Sequence, residues 1–181
     1  METKPSTARV ALKWGIISGI ITGIFSIGYQ VLNLMPEDPL QANVGWGLLV
    51  NLLQIIFTIA VLFLAIKEYR MMNEGYLSFG EGVGISALTG AVWGVVSGGI
   101  TLIYTQFIDN SAQQRMLSGL RNSYEEKGMT DEQVDSAMNM VEMMTQPSFG
   151  FVMTILMGVI IGTLLGLIVS AIMKKDRSIF S

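Results

Sequence analysis

The chain has no cysteine and no histidine among its 181 residues. Without thiols there is no disulfide, no thiolate nucleophile and no cysteine-ligated metal. Without imidazole the commonest general base and the commonest metal ligand are both missing. Proline is scarce, at 4 residues, so disorder of the proline-rich kind does not explain the low charge. Charged residues make up only 14%, against roughly 25% in an ordinary soluble domain. A net charge of −3 argues against a surface that tracks phosphates, so no nucleic-acid partner is expected. What remains is 51% hydrophobic, with 20 glycines and 13 methionines. That is a composition suited to lipid as the solvent and to few enzyme classes.

Uncharged runs cover 14–36, 39–66, 82–108 and 143–173. Each exceeds the roughly 20 residues that a helix needs to cross a bilayer. The apolar residues run continuously rather than alternating, so helices are predicted and barrel strands are not. The predicted fold is all-α: a single membrane domain of four transmembrane helices, near 10–34, 44–66, 83–107 and 150–173. An extracytoplasmic αα-hairpin occupies 108–148, between the third and fourth spans. The first run is too long for a secretory signal core and lacks a cleavage site, so it is expected to stay as an anchor.

Lys4, Arg9, Lys13, Lys67, Arg70, Lys174, Lys175 and Arg177 fall on one side of this arrangement, and Arg115, Arg121 and Lys127 on the other. Nine of the fourteen acidic residues lie with the smaller basic group, among them Glu37 and Asp38. Both termini are therefore expected in the cytoplasm. Trp14, Trp46, Tyr69 and Tyr104 lie near span ends, where an amphipathic ring can be half wet.

Three spans carry small residues at four-residue spacing. These are Gly15, Gly19 and Gly23 after Ala11; Gly90, Gly94 and Gly98 after Ser86; and Gly158, Gly162 and Gly166 before Ser170. Such stripes let helices approach closely in lipid. Packing within the bundle is the first reading, and a homodimer or a membrane-protein partner is the alternative. The second span has no glycine between Leu48 and Ile66 and is expected to face lipid most. Polar residues within the spans are Gln30, Asn33, Asn51, Gln54 and Gln106, none of them charged. Pumps and ion pathways usually place charge at this depth. Asn51 and Gln54, three apart on one face, read as hydrogen bonds between helices before they read as a polar path.

Between spans two and three, Ser78 and Glu81 have capping-box spacing. This accounts for Glu81 without a role in a gate with Lys67 or Arg70. Tyr76, Leu77 and Phe79 are expected at the headgroup boundary, with Gly80, Gly82 and Gly84 permitting a close turn. No phosphate-loop signature accompanies those glycines. In the outer segment Asp109, Asn110 and Ser111 all suit a helix cap. Met116, Leu117, Leu120 and Tyr124 then recur at helical spacing up to Gly128. A second capping box at Thr130 and Gln133 opens a helix with Val134, Met138 and Val141 on one face, stopped at Pro147. Two helices of this length hold too little core to stand alone, so the hairpin is expected to lean on the membrane or on a partner. Met138, Met140, Met143 and Met144 offer thioethers to copper(I). With no His or Cys to complete a ligand set they read better as fillers of irregular apolar contacts or as an adaptable contact surface, so no metal and no cofactor are expected.

The stretch Ile66-Lys67-Glu68-Tyr69-Arg70, followed by Gly75-Tyr76-Leu77-Ser78-Phe79-Gly80-Glu81, resembles the family catalogued as domain of unknown function 4199. The likeness extends to Phe107-Ile108-Asp109, to Gly128-Met129-Thr130-Asp131-Glu132-Gln133 and to Lys174-Lys175. The resemblance implies a small multi-pass protein of the bacterial inner membrane and transfers no catalytic residue. Glycine at 82 departs from the alanine that it leads one to expect.

The expected function is that of a non-enzymatic accessory or scaffold protein acting through helix and hairpin contacts. A small-solute transporter or channel component lined by Asn51, Gln54 and Glu81 is the alternative. An intramembrane hydrolase is disfavoured. The spans hold no Asp, and Ser78, the serine nearest to Lys67 in that loop, is better used as a cap.

Overall fold

The computed structural model describes residues 5–32, 34 and 44–176, apart from the side chain of Ala112. Lys4, Asn33, Glu37, Asp38 and Arg177 lie outside the described residues. Among the described residues six helices follow in order: α1 (Thr7–Val31), α2 (Val44–Met72), α3 (Phe79–Phe107), α4 (Ser111–Glu126), α5 (Asp131–Thr145) and α6 (Pro147–Met173). Of these, α1, α2, α3 and α6 are long and apolar enough to cross a membrane.

Helix ends follow local chemistry more than hydropathy. The Ser6 hydroxyl accepts from the Arg9 amide and starts α1. The α2 helix runs on to Met72, beyond the apolar limit near 66, because helical bonding continues through Lys67–Arg70. It ends where Glu74 and Gly75 adopt φ of 54° and 84° and the Gly75 amide reaches back to the Arg70 carbonyl at 2.8 Å. The α3 helix begins at Phe79, four residues before the predicted boundary, because the box of Ser78 and Glu81 forms there. Before α4 it is Asp109, not the N-cap Asn110, whose side chain accepts a bond, from the Ser111 amide at 2.8 Å. The Ser111 hydroxyl and amide hold the Asp109 carboxylate below its ordinary range. Pro147 stands at the start of α6, where its missing N–H costs nothing, and Gln146 alone separates α5 from α6.

The α3 helix is central, packed parallel to α1 and antiparallel to α6. A Cβ at Gly15 would lie 2.6 Å from Cβ of Val92, and one at Gly19 would lie 2.7 Å from Cβ of Val96. At Gly23 an added carbon would meet Ile100. On the other side of α3, Gly90 faces the Gly158 carbonyl and Gly94 the Ile155 backbone, while Gly98 lies beside Phe151 and Thr154. Gly162 and Gly166 come against Ser86. All nine stripe glycines therefore meet atoms of this same chain, and dispersion at short range holds the three helices together. The α2 helix packs more loosely, with exposed Leu48, Leu49, Leu52, Leu53, Ile55 and Ile56 along its first half.

Gly82 belongs to the α3–α6 seam as well. An added Cβ would sit 2.8 Å from Cβ of Ser170 and collide with its hydroxyl, which is buried without a hydrogen-bond partner. Gly82→Ala is expected to cost about 1–3 kcal/mol by overpacking. Adding Ser170→Gly makes room, and the helix propensities gained at 82 and lost at 170 nearly offset each other. Thermal melts in mild detergent should therefore show the double variant recovering at least half of the loss. A double variant no more stable than Gly82→Ala refutes this account of the seam.

The α4 and α5 helices run antiparallel. Arg121 pairs with Asp135 at 2.9 Å near one end, and the Gln113 amide donates to the Thr145 carbonyl at 3.1 Å at the other. Leu120, Val134 and Met138 are buried, and Gly128 makes the turn at a φ of 76°.

Candidate functional site

The two ends of the bundle differ in packing, and a sizeable cleft lies toward the end away from the termini. At the end carrying the termini, Val10, Ala65, Ile66, Tyr69, Leu77, Ile85, Val169 and Met173 form one buried cluster, joined by Trp14. All four long helices contribute. Leu77 reaches the cluster because its backbone pairs antiparallel with Lys175, through N–H···O bonds of 3.0 and 2.9 Å. The expectation that Leu77 lies at a headgroup boundary is therefore corrected: it is fully buried, and the pairing with the chain's other end pulls it inward. Phe79 stays exposed. Gly80 and Gly84 have open space where a side chain would go, so of those three glycines only Gly82 serves a close approach.

Polar groups tie this closed end. Glu81 accepts from the Ser78 amide at 2.9 Å, its own amide donates to the Ser78 hydroxyl at 3.3 Å, and its second oxygen accepts from the Tyr69 hydroxyl at 3.0 Å. The Arg70 side chain donates to the carbonyls of Gly75, at 2.9 Å, and Met173, at 3.5 Å. Glu68 accepts from Lys13 at 2.8 Å and from the Trp14 ring N–H at 2.8 Å. Arg70 therefore fixes backbone, and Glu81 joins α2 to the start of α3. Each has a complete structural employment here.

Toward the other end α2 parts from α1, α3 and α6, and the space between them is not filled. A cavity of about 520 Å³ lies there, roofed by Gln113 and Met116 of α4 and by Thr145 and Gln146 at the end of α5. Its walls carry Thr22, Ser26 and Gln30 from α1 and Trp93, Ser97, Thr101 and Thr105 from α3. Both sets step by four residues, so each is one face of its helix. The Trp93 ring N–H donates to the Thr22 hydroxyl at 2.7 Å across the floor. Thr22 and Thr105 also donate to carbonyls of their own helices, as hydroxyls in apolar surroundings commonly do.

Gln30 and Ser97 are different. Each is 7% exposed, each lines this cavity, and neither side chain makes a hydrogen bond within the described residues. Their polar atoms open onto the cleft rather than being sealed in, so water or the polar part of a ligand can supply the bonds that the protein does not. Gln54 of α2 borders the 520 Å³ cavity and also a 370 Å³ space deeper in the bundle, beside Ser18 and Thr89. Asn51 borders the deeper space as well, but its amide donates to the Gly47 carbonyl of its own helix at 2.8 Å rather than to a neighbouring helix. Gln106 is exposed at the end of α3. Sequence reasoning placed Gln30 and Gln54 among the polar intramembrane residues but passed over Ser97, Thr101 and Thr105. The four-residue recurrence of hydroxyls was the signal that could have found them.

No charged side chain lines these spaces among the described residues. No group of three or more His, Cys, Asp or Glu residues able to hold a metal ion occurs among them either. Met138 is buried, while Met140, Met143 and Met144 are exposed, so the four thioethers do not converge.

A family model described as "Protein of unknown function (DUF4199)" matches residues 13–175, which takes in α2 to α6 and α1 from Lys13 onward. No curated protein and no solved structure matches the chain.

Proposed function

This chain belongs to the DUF4199 family of proteins of unknown function, and from that premise we propose that it is a non-enzymatic membrane protein that binds a ligand in the cleft beneath α4 and α5. The observation that carries the proposal is the pair of unpartnered, buried polar side chains, Gln30 and Ser97, facing a cavity at the depth of the apolar helices. The distribution of Lys and Arg supports cytoplasmic termini in a bacterial inner membrane, with α4 and α5 outside, so the cleft opens outward. Binding is favoured over transport because the buried cluster around Tyr69 and Leu77 leaves the cleft blind at its other end.

The test is to purify the protein in mild detergent, extract it, and weigh what it carries. Wild type is expected to retain an amphiphile near one per chain, and Ser97→Leu, which fills the cleft, is expected to retain at least fivefold less. Equal retention by the two overturns the reading, provided the variant melts as wild type does.

A contact role is a second reading with its own support. Met140, Met143 and Met144 are 57%, 55% and 48% exposed on α5, an adaptable apolar surface of the kind that receives a protein partner.

A further inference from the structure

A second space adjoins the cleft beneath α4 and α5, and the two differ in chemistry. Between α1 and α2 lies a slot of about 440 Å³, lined by Ile21, Phe25, Leu49, Leu53 and Phe57 with almost no polar surface. Its lining residues Ile21, Phe25, Leu49 and Leu53 are exposed on the outside of the bundle, so the slot opens toward the surrounding hydrocarbon. Thr22, Phe25, Tyr29, Val50 and Gln54 border both the slot and the polar cavity, so the two spaces adjoin across these side chains. Each falls in the volume range of small-molecule sites.

Resting on the binding function proposed above, we propose that the occupant is an uncharged lipid, its hydrocarbon chain laid in the α1–α2 slot and its hydroxyl- or amide-bearing end seated against Gln30, Gln54 and Ser97. A water-soluble solute leaves the slot unused. A lipid with a phosphate headgroup loses hydration on entry and meets no counter-charge, since no Lys or Arg lines either space among the described residues. An uncharged headgroup avoids that penalty and supplies partners to the amides and the hydroxyl that the protein leaves unpaired. The chain reaches the slot from the bilayer plane, through the gap that the loose packing of α2 provides.

The three tryptophans give the assay. A Trp14→Phe, Trp46→Phe variant leaves Trp93, on the cleft floor, as the sole indole. A monoacylglycerol with a brominated chain is titrated against it in detergent micelles, beside a lysophosphatidylglycerol carrying the same chain. Saturable quenching is expected from the neutral probe, with half-saturation at least tenfold lower than for the anionic one. Gln54→Leu, an exposed position where no overpacking arises, is expected to raise the neutral half-saturation at least threefold. Equal half-saturation for both probes overturns the uncharged headgroup, and absence of saturable quenching by either overturns the lipid. If extraction nevertheless finds a retained molecule that Ser97→Leu loses, the binding function stands and the ligand class falls. If nothing is retained, both fall.

Discussion

Gly90→Val is expected to be among the most damaging single substitutions in the protein. At this position the α3 backbone comes directly against the Gly158 carbonyl, and the Gly162 Cα is 3.4 Å from where a Cβ would stand. The neighbours are backbone, not the flexible end of a side chain, so they relieve the clash only if α3 and α6 move apart. Separation along the seam also loosens Gly94 against Ile155 and Gly162 against Ser86, because one axis carries all these contacts. A cost of about 3 kcal/mol, at the upper end for overpacking, is expected. Gly28→Val is the control, since Gly28 lies on α1 with open space around its Cβ position. Unfolding in mild detergent, followed by circular dichroism against added sodium dodecyl sulfate, should show Gly90→Val collapsing at far lower denaturant than Gly28→Val. Similar midpoints for the two variants contradict the packing account.

The contrast between Gly90 and Gly28 also shows what the sequence made legible. Stripes of small residues on three helices announced close approach, and the absence of glycine between Leu48 and Ile66 announced a second span turned most toward lipid. What periodicity cannot give is the partner of each stripe. Gly15, Gly19 and Gly23 could have met α3, α6 or a second copy with identical spacing, and only the assembled chain puts Val92 and Val96 there. The cleft was hidden for a different reason. Ser and Thr in an apolar helix usually bond their own carbonyls and carry no message, as Thr105 and Thr154 do. Ser97 looks the same in sequence, and only the folded chain shows that its hydroxyl makes no such bond and lines the cleft instead. Leu77 was misplaced because its environment depends on Lys175, nearly one hundred residues later, and no local pattern reports a bond over that distance.

Tyr69→Ala is expected to damage the opposite part of the molecule by a comparable amount. Tyr69 is among the largest fully buried side chains, at the centre of the cluster where all four long helices meet. Removing its ring leaves a cavity whose walls are fixed by the backbone pairing of Leu77 with Lys175, so little collapse can compensate, and a loss of about 3–5 kcal/mol follows. The hydroxyl is a separable part of this. Glu81 is bonded to the Ser78 amide on one oxygen and to the Tyr69 hydroxyl on the other. Tyr69→Phe and Glu81→Ala should therefore couple by about 1.5 kcal/mol in a double-mutant cycle, as expected for a hydrogen bond to a carboxylate. Glu81→Ala alone also loses the capping box, which adds about 1 kcal/mol that Tyr69→Phe does not share. The same detergent titration reads all four chains. Additive losses would mean that the hydroxyl and the carboxylate act independently, and that α2 is held to the start of α3 by the buried ring alone. A coupling near the expected size makes Glu81 the joint between the two helices, and explains why the bundle is closed at this end while α2 is free to part from its neighbours at the other.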